Sequence, residues 1–188
     1  HPTSSVSLLH TRSKTTAGME LHGKTLAIIG LGVTGLEVAK IARGLGMRVE
    51  AVTKHPFMKR DGYDKKYYVD DLAGIDRLPE VLARADIVSI HTPLTDETTD
   101  MFGEKEFSMM KKSAYLINVA RAKIVNKDAL FTALSAQRIA GAAFDVFWRE
   151  PPDLEDKILA LENFVLTPHI AGWTSEAIET ITRIISIN

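Results

Sequence analysis

The stretch TLAIIGLGVTGLEVAKIARGLG, residues 25–46, decides the fold class of this chain. Its first five residues form an apolar run that predicts a β-strand. A glycine-rich turn follows, and after it apolar residues recur at the i, i+3, i+4, i+7 spacing of an amphipathic helix. These residues are Val38, Ile41, Ala42 and Leu45, and Gly46 stands where a left-handed C-terminal cap belongs. A strand, a glycine turn and a helix in this order open a parallel α/β sheet.

Five further apolar runs continue the alternation of strands and helices. They are VEAV (49–52), IVSI (87–90), YLINV (115–119), IAGAAF (139–144) and FVLT (164–167). Several of them lack polar alternation, which is typical of parallel strands covered on both faces. A second helix is predicted after Asn126, which can cap it, with an apolar stripe of Leu130, Ala133 and Leu134. The sequence therefore predicts a doubly wound parallel sheet of the Rossmann type, with helices on both faces and a ligand site beyond the carboxyl ends of its strands.

Composition excludes several classes of protein. The 188 residues carry a formal net charge of −1, and a general nucleic-acid or membrane-surface binder would need a basic surplus. No apolar run approaches the roughly 18 residues that a membrane span requires. Without cysteine, disulfides, thiolate catalysis and cysteine-ligated metal sites are ruled out. No metal site is predicted, and a cytoplasmic location is expected.

The first 18 residues differ in composition from the rest of the chain. Residues 1–18 hold eight Ser or Thr, basic Arg12 and Lys14, and no acidic residue. Such a composition would suit a transit peptide. Because the chain begins with His1 and nothing marks a cleavage site, a linker from a missing upstream segment is the preferred interpretation.

The turn at residues 30–35 has the G-x-G-x-x-G spacing of a dinucleotide-binding loop. Gly30 permits a tight turn, Gly32 lets the backbone approach a pyrophosphate, and Gly35 lets the helix pack closely on the strand. The N–H groups at the start of the helix then face the phosphates. Glycines also serve ordinary turns, but the strand before this loop and the helix after it favour dinucleotide binding.

The residues after the second predicted strand bear on the choice between NAD and NADP. An acidic residue about 20 positions after the glycines would bind the adenosine ribose hydroxyls and repel a 2′-phosphate. This chain has Thr53, Lys54 and His55 there instead, with further basic residues at 59, 60, 65 and 66. Thr53 can donate a hydrogen bond, and Lys54 can pair with a phosphate. These groups favour NADP slightly, while use of both cofactors and a merely solvated loop of mixed charge are alternatives.

Three polar segments follow predicted strands, where the chemistry of such a sheet is expected. They are INVARAKIVN (117–126), FDVFWREPP (144–152) and LTPHIAGWT (166–174). Arg121 can bind a planar carboxylate through two N–H bonds. His169 can exchange a proton near neutral pH, and Glu150 can hold that imidazole in one tautomer and favour its protonated form. Beside a nicotinamide, these groups suit the interconversion of a 2-hydroxy acid and a 2-oxo acid.

Each of these residues also has a structural interpretation. An isolated arginine after a strand is usually a surface ion pair, an isolated histidine is more often structural, and Glu150 could simply open a rigid loop before two prolines. Convergence of the three at neighbouring strand ends favours catalysis. His91, in the HTPLT turn, is interpreted as a residue of the turn or of the pocket wall.

The chain resembles the cofactor domain of the D-isomer-specific 2-hydroxyacid dehydrogenases, a group that includes phosphoglycerate, glyoxylate/hydroxypyruvate and D-lactate dehydrogenases. The resemblance runs from about Leu21 to Asn188 and rests on segments in family order. They are GKTLAIIGLGVTG, ADIVSIHTPLTDET, INVAR, GAAFDVFWREPP and LTPHIAGWT. It implies an oxidoreductase that transfers a hydride between NAD(P)(H) and a small 2-hydroxy or 2-oxo acid.

The resemblance also implies a role for individual residues. Arg121 would bind the substrate carboxylate and carbonyl, His169 would be the general acid/base, and Glu150 would be its partner. The other residues would contact the cofactor. They are Val33 and Thr34 at the pyrophosphate, Thr92, Pro93 and Thr98 around the ribose and nicotinamide, Asp145 near the carboxamide, and the backbone of Val119, Ala120 and Arg121 and of His169, Ala171 and Gly172 along the nicotinamide edge.

In this interpretation residues 19–173 form the NAD(P)-binding domain. Residues 174–188 begin a helix that returns to a missing substrate domain, and a homodimer through the cofactor domain is expected. Trp148 departs from the family pattern and brings a large ring near the predicted pocket mouth. Corepressors related to this family keep the same three polar residues, so a non-catalytic dinucleotide sensor is the alternative function.

Overall fold

A computed structural model describes residues 18–54 and 68–187. Within these residues the chain forms one parallel sheet of seven strands in the order β3-β2-β1-β4-β5-β6-β7. The strands are β1 (Thr25–Ile29), β2 (Arg48–Val52), β3 (Asp71–Ala73), β4 (Ile87–Ile90), β5 (Tyr115–Asn118), β6 (Gly141–Phe144) and β7 (Phe164–Leu166). The doubly wound parallel sheet and all six predicted strands are confirmed.

Five α-helices accompany the sheet in the described part of the chain. They are α1 (Val33–Gly44), α2 (Leu78–Arg84), α3 (Glu104–Met109), α4 (Lys127–Ser135) and α5 (Ser175–Ile187). None of the described helices is both long and apolar enough to cross a membrane.

Strand β3, which forms the edge of the sheet beside β2, was not predicted from the sequence. This strand has only three residues, and both Asp71 and Leu72 are partly exposed. So short a run with an acidic residue in it carries neither the alternation nor the apolar continuity that marks a strand.

The core lies on both sides of β1, because its alternate residues enter different clusters. Leu26 and Ile28 pack with Leu36 of α1 on one face, and Ala27 and Ile29 pack with the α2–α4 side on the other. A strand buried on both faces needs apolar residues at every position, which accounts for the continuous run LAII at residues 26–29.

The face of α1 that packs against the sheet differs from the predicted face. Its buried residues are Gly35, Leu36, Ala39 and Ala42, whereas Ile41 and Leu45 are 64% and 50% exposed. A Cβ on Gly35 would lie 2.3 Å from the carbonyl oxygen of Gly30, so the bare backbone at Gly35 fixes which side of the helix meets β1. The predicted stripe was therefore wrong in two of its four positions, Ile41 and Leu45, and Val38 is only partly buried.

The predicted helix ends are confirmed in α1 and α4. Gly46 follows α1 with φ +75°, the left-handed conformation expected of a cap. The Asn126 side chain accepts a hydrogen bond from the N–H of Ala129 at 3.0 Å. The predicted α4 stripe of Leu130, Ala133 and Leu134 is buried.

Some of the predictions concern residues that the structure does not describe. They are residues 1–17, His55 and the basic positions 59, 60, 65 and 66. The predicted helix at the end is present as α5, and Ile178 on it is 50% exposed. Of the other isoleucines in that helix only the backbone is described.

Candidate functional site

The glycine loop after β1 makes a close contact with the segment after β4. Gly30 has φ +98°, and a Cβ there would lie 2.6 Å from the backbone nitrogen of Thr92. Only glycine combines this backbone conformation with so close an approach. The contact holds the β1 loop and the β4 loop together at the carboxyl end of the sheet.

The backbone at Gly32 and at the start of α1 leaves room for a bound ligand. A Cβ built on Gly32 would meet no atom within 4 Å. Gly32 is the N-cap of α1, no side chain caps it, and the first turn of the helix contains no acidic residue. Free N–H groups and an uncompensated helix dipole favour an anion at this place. These features fit the pyrophosphate of a dinucleotide.

Two cavities adjoin along the carboxyl ends of β1, β4 and β5. The larger, of about 760 Å³, is lined by predicted cofactor residues Gly30, Gly32, Thr53, Lys54, Thr92, Pro93 and Thr98, among others. The smaller, of about 450 Å³, is lined by Thr34, Thr92, Pro93, Val119, Ala120 and Arg121, together with His91 and Leu94. Because His91, Thr92 and Pro93 line both, the two cavities are neighbours. Two adjoining cavities at this edge of the sheet suit an elongated ligand.

His91 is part of the wall between the cavities, as the sequence suggested. Its Nε2 lies 2.8 Å from the hydroxyl oxygen of Ser89, which is 5% exposed. Burial lowers the pKa of His91 below its ordinary value. A neutral imidazole is therefore favoured in this wall.

The loop after β4 is braced by its own threonines. The Thr98 hydroxyl donates to the carbonyl oxygen of Pro93 at 2.7 Å, and the N–H of Thr95 donates to Thr98 Oγ1 at 2.8 Å. Thr99 Oγ1 donates to the carbonyl of Thr95 at 2.8 Å. Thr98, predicted as a cofactor contact, thus also shapes the cavity wall.

His169 and Glu150 meet although 19 residues separate them in the chain. Nδ1 of His169 lies 2.8 Å from Glu150 Oε2, while the other carboxylate oxygen accepts the N–H of Phe147 at 3.0 Å. Hydrogen bonds with His169 and from Phe147, together with the charges of His169 and Arg121, hold the pKa of Glu150 below its usual value. The glutamate is therefore ionised at neutral pH and fixes the imidazole by one nitrogen, which leaves Nε2 for other chemistry.

The His169 loop is tied to the sheet by Asp145. One carboxylate oxygen accepts the Thr167 hydroxyl at 2.5 Å and the N–H of Ile170 at 3.0 Å, and the other accepts the N–H of Ala171 at 2.8 Å. His169 itself has φ +58°, an uncommon conformation for a residue with a side chain. The Asp145 bonds hold the loop in this shape, a role that the sequence analysis did not identify.

The ionisation of Asp145 is set by two opposing effects. Burial of the side chain, 5% exposed, raises its pKa. The hydrogen bonds from Thr167, Ala171 and Ile170, together with the charge of His169, lower it further than burial raises it. The net pKa lies below the ordinary value, so the carboxylate is charged at neutral pH.

Arg121 is positioned by a buried amide that the sequence analysis also missed. Asn118, fully buried at the end of β5, donates from Nδ2 to the carbonyl of Arg121 at 3.0 Å and accepts the N–H of Ala120 at 3.0 Å. The exposed guanidinium donates from Nη1 to the carbonyl of Ala120 at 2.7 Å. Asn118 thus shapes the turn that brings Arg121 to the smaller cavity.

Trp148 has a packing role. Its ring stacks on Phe144 with centroids 5.4 Å apart, and its Nε1 donates to the carbonyl of Val125 at 2.8 Å. The ring thereby covers the end of β6 and lines neither of the two cavities. Its place near the pocket mouth stays a prediction. Among the described residues, no cluster of three or more His, Asp or Glu side chains is arranged to hold a metal ion.

Residues 5–171 match the model of the D-isomer specific 2-hydroxyacid dehydrogenase family, NAD binding domain. The chain belongs to this family. A glyoxylate reductase of Korarchaeum cryptofilum is 38% identical over 171 residues, which cover 91% of this chain and 49% of that protein. The family assignment made from the ordered sequence segments is therefore confirmed.

Solved structures of similar proteins have the same fold. D-lactate dehydrogenase with NAD+ from Lactobacillus jensenii superposes with a TM-score of 0.79 at 32% identity, covering 93% of this chain and 54% of that one. The acyclic imino acid reductase Bsp5 in complex with NADPH and D-Arg gives 0.78 at 31% identity, covering 92% and 52%. The chain thus spans about half the length of these relatives.

Replacing Asp145 by Asn should destabilise the protein by about 1–3 kcal/mol at pH 7, because an amide nitrogen then faces an N–H donor. Since the folded-state pKa of Asp145 lies below the unfolded value, the carboxylate stabilises the fold above about pH 4, and this contribution is lost as the pH falls through the folded-state pKa. Urea unfolding from pH 7 to pH 3 should show the difference from wild type shrinking in acid.

Asp96→Asn, which removes an exposed carboxylate, serves as the matched control and should change the unfolding free energy little. An Asp145→Asn protein as stable as wild type at pH 7 would contradict the assigned role of Asp145.

Proposed function

We propose that this chain is the nucleotide-binding and proton-transfer half of a dehydrogenase acting between NAD(P)(H) and a small 2-hydroxy or 2-oxo acid. The observation that carries the proposal is the 2.8 Å contact between His169 and Glu150, which lowers the pKa of Glu150. The charge of Arg121 also lowers this pKa, and Arg121 lines the smaller cavity. A carboxylate-binding cation and an oriented acid/base beside a nucleotide groove suit this reaction.

The residues present fit a dinucleotide. Gly30, Gly32, Val33, Thr34 and Gly35 would hold the pyrophosphate, supported by the open space at Gly32 and the uncapped start of α1. The remaining residues are assigned to the two ends. Thr53 and Lys54 would lie at the adenosine ribose, and Thr92, Pro93 and Thr98 around the ribose and nicotinamide. The residues along the nicotinamide would be Val119, Ala120, Arg121, Asp145, His169, Ala171 and Gly172. When bound, the cofactor would supply or accept the hydride.

In the direction of reduction, Arg121 would bind the substrate carboxylate and stabilise negative charge developing on the carbonyl oxygen. As the hydride reaches C2, protonated His169 would give its proton to that oxygen, which completes the hydroxyl group. Glu150 would hold the imidazole in place and balance its positive charge. Oxidation would run the same steps backwards, with neutral His169 accepting the hydroxyl proton.

The domain organisation belongs to the same proposal. Residues 19–173 would form the cofactor domain, and residues 174–188 would lead into a substrate domain, as supported by relatives about twice as long. A homodimer stays a prediction, supported by the exposed apolar residues Tyr115 and Val165 on one face of the sheet. The cytoplasmic location also stays a prediction.

Gly32→Val should abolish dinucleotide binding while the protein stays folded, because the new methyl groups would occupy the space in which the pyrophosphate lies. Gly44→Val is a matched control, since a Cβ there also meets no atom within 4 Å but stands at the far end of α1. Titration calorimetry with NADH and NADPH measures the effect. Near-normal affinity in folded Gly32→Val would remove the glycine loop from the site.

The catalytic proposal is tested by turnover of a protein that unites this domain with its substrate domain. His169→Ala should lower kcat by roughly 10²–10⁴, the usual loss for a general acid/base, with little change in cofactor affinity. Glyoxylate, pyruvate and hydroxypyruvate are the first substrates to assay by NAD(P)H absorbance. Full activity without His169 would refute its role, and tight cofactor binding with no turnover in wild type would favour the sensor.

A further inference from the structure

An ion pair spans part of the wall of the larger cavity. The Lys54 ammonium lies 2.6 Å and 2.9 Å from the two carboxylate oxygens of Glu97. Lys54 stands two residues after β2, Glu97 belongs to the loop between β4 and α3, and both residues line the cavity. The two side chains are 64% and 69% exposed, so an incoming ligand can reach either.

This ion pair changes how Lys54 would interact with a 2′-phosphate. A lysine alone at the end of β2 would attract a 2′-phosphate. Here the Lys54 ammonium is already paired with the Glu97 carboxylate. That carboxylate carries the same sign of charge as the phosphate. An incoming 2′-phosphate must therefore displace a carboxylate from Lys54 and also remain beside it.

We propose that Glu97 is the residue that sets the preference of this chain between NAD(H) and NADP(H), by disfavouring the 2′-phosphate. The acidic group beside the adenosine ribose thus comes from the loop after β4, while the end of β2 supplies a cation. The inference rests on the proposed binding of a dinucleotide in this groove. It reverses the slight preference for NADP that was predicted from Thr53, Lys54 and the basic residues after them.

Hydrogen bonds in the turn around Glu97 restrict how far its backbone can move away from the cavity. Thr98 bonds to Pro93 and Thr95, and Thr99 bonds to Thr95, so Glu97 lies within a braced turn. The side chain itself is exposed and screened by water, which limits the electrostatic effect to about five- to tenfold in affinity. A tenfold change corresponds to about 1.4 kcal/mol.

The family fold does not decide the matter. The similar D-lactate dehydrogenase was solved with NAD+, whereas the imino acid reductase was solved with NADPH. Local charge around the ribose must therefore distinguish the cofactors, and in the described part of the cavity wall that charge is carried by Lys54 and Glu97.

The test measures Kd for NADH and NADPH by fluorescence titration of the 188-residue chain at low ionic strength. Wild type should bind NADH at least as tightly as NADPH. Glu97→Gln should shift the ratio of the two Kd values toward NADPH about five- to tenfold, and added salt should reduce this shift. In Lys54→Met/Glu97→Gln most of the shift should disappear, because the released ammonium is the group that binds the phosphate.

Glu162→Gln is the matched control, since it removes the same charge from an exposed site just before β7, at the opposite end of the strands. An unchanged ratio in Glu97→Gln, or an equal shift in Glu162→Gln, would overturn the assignment of Glu97 and leave dinucleotide binding intact. If folded wild type binds neither NADH nor NADPH, the proposed function fails, and this inference fails with it.

Discussion

Close backbone contact at the carboxyl end of β1 is the constraint on which the site depends. At Gly30 the chain approaches Thr92, and at Gly35 the helix α1 approaches the carbonyl of Gly30; a Cβ at either position would lie within 2.6 Å of backbone. The β1 loop, the start of α1 and the distant β4 loop therefore meet without side chains between them. The contact points the start of α1 into the groove and makes the β4 loop the shared wall of two adjoining cavities.

Two buried polar side chains hold the segments that carry the polar residues of the site. Asn118 at the end of β5 shapes the turn before Arg121, and Asp145 just after β6 clamps the loop that carries His169. Both are at most 5% exposed, so their hydrogen bonds form away from competing water. The rigid sheet thus supports exposed groups through buried hydrogen bonds, and Glu150 then links to His169 across the loops.

The sequence predicted those features that a local pattern encodes. Buried parallel strands appear as apolar runs, and the G-x-G-x-x-G loop specifies its own turn, so the fold and the phosphate loop could be predicted. The rotation of α1 could not, because Gly35 fixes it through a contact with Gly30 that periodicity does not contain. Strand β3 is too short and too polar to form a pattern.

Contacts between residues that are far apart in the chain were the other feature that local sequence patterns could not predict. The resemblance to a family suggested the His169–Glu150 pair, which the structure brings to 2.8 Å. Nothing local in the sequence reveals that Lys54 meets Glu97, 43 residues away, or that Asp145 bonds to the loop 22 to 26 residues further on. Such partners depend on the order of strands in the sheet, which brings remote loops to one edge.

The most direct measurement of the central claim, that the carboxyl edge of the sheet is a dinucleotide site, is an NMR titration of the isotopically labelled chain with NADH. The account predicts that the largest amide shifts fall on Gly30 to Gly35, on Thr92 to Thr98 and on Val119 to Arg121. Shifts concentrated instead around Tyr115 and Val165, on the exposed face of the sheet, would contradict it.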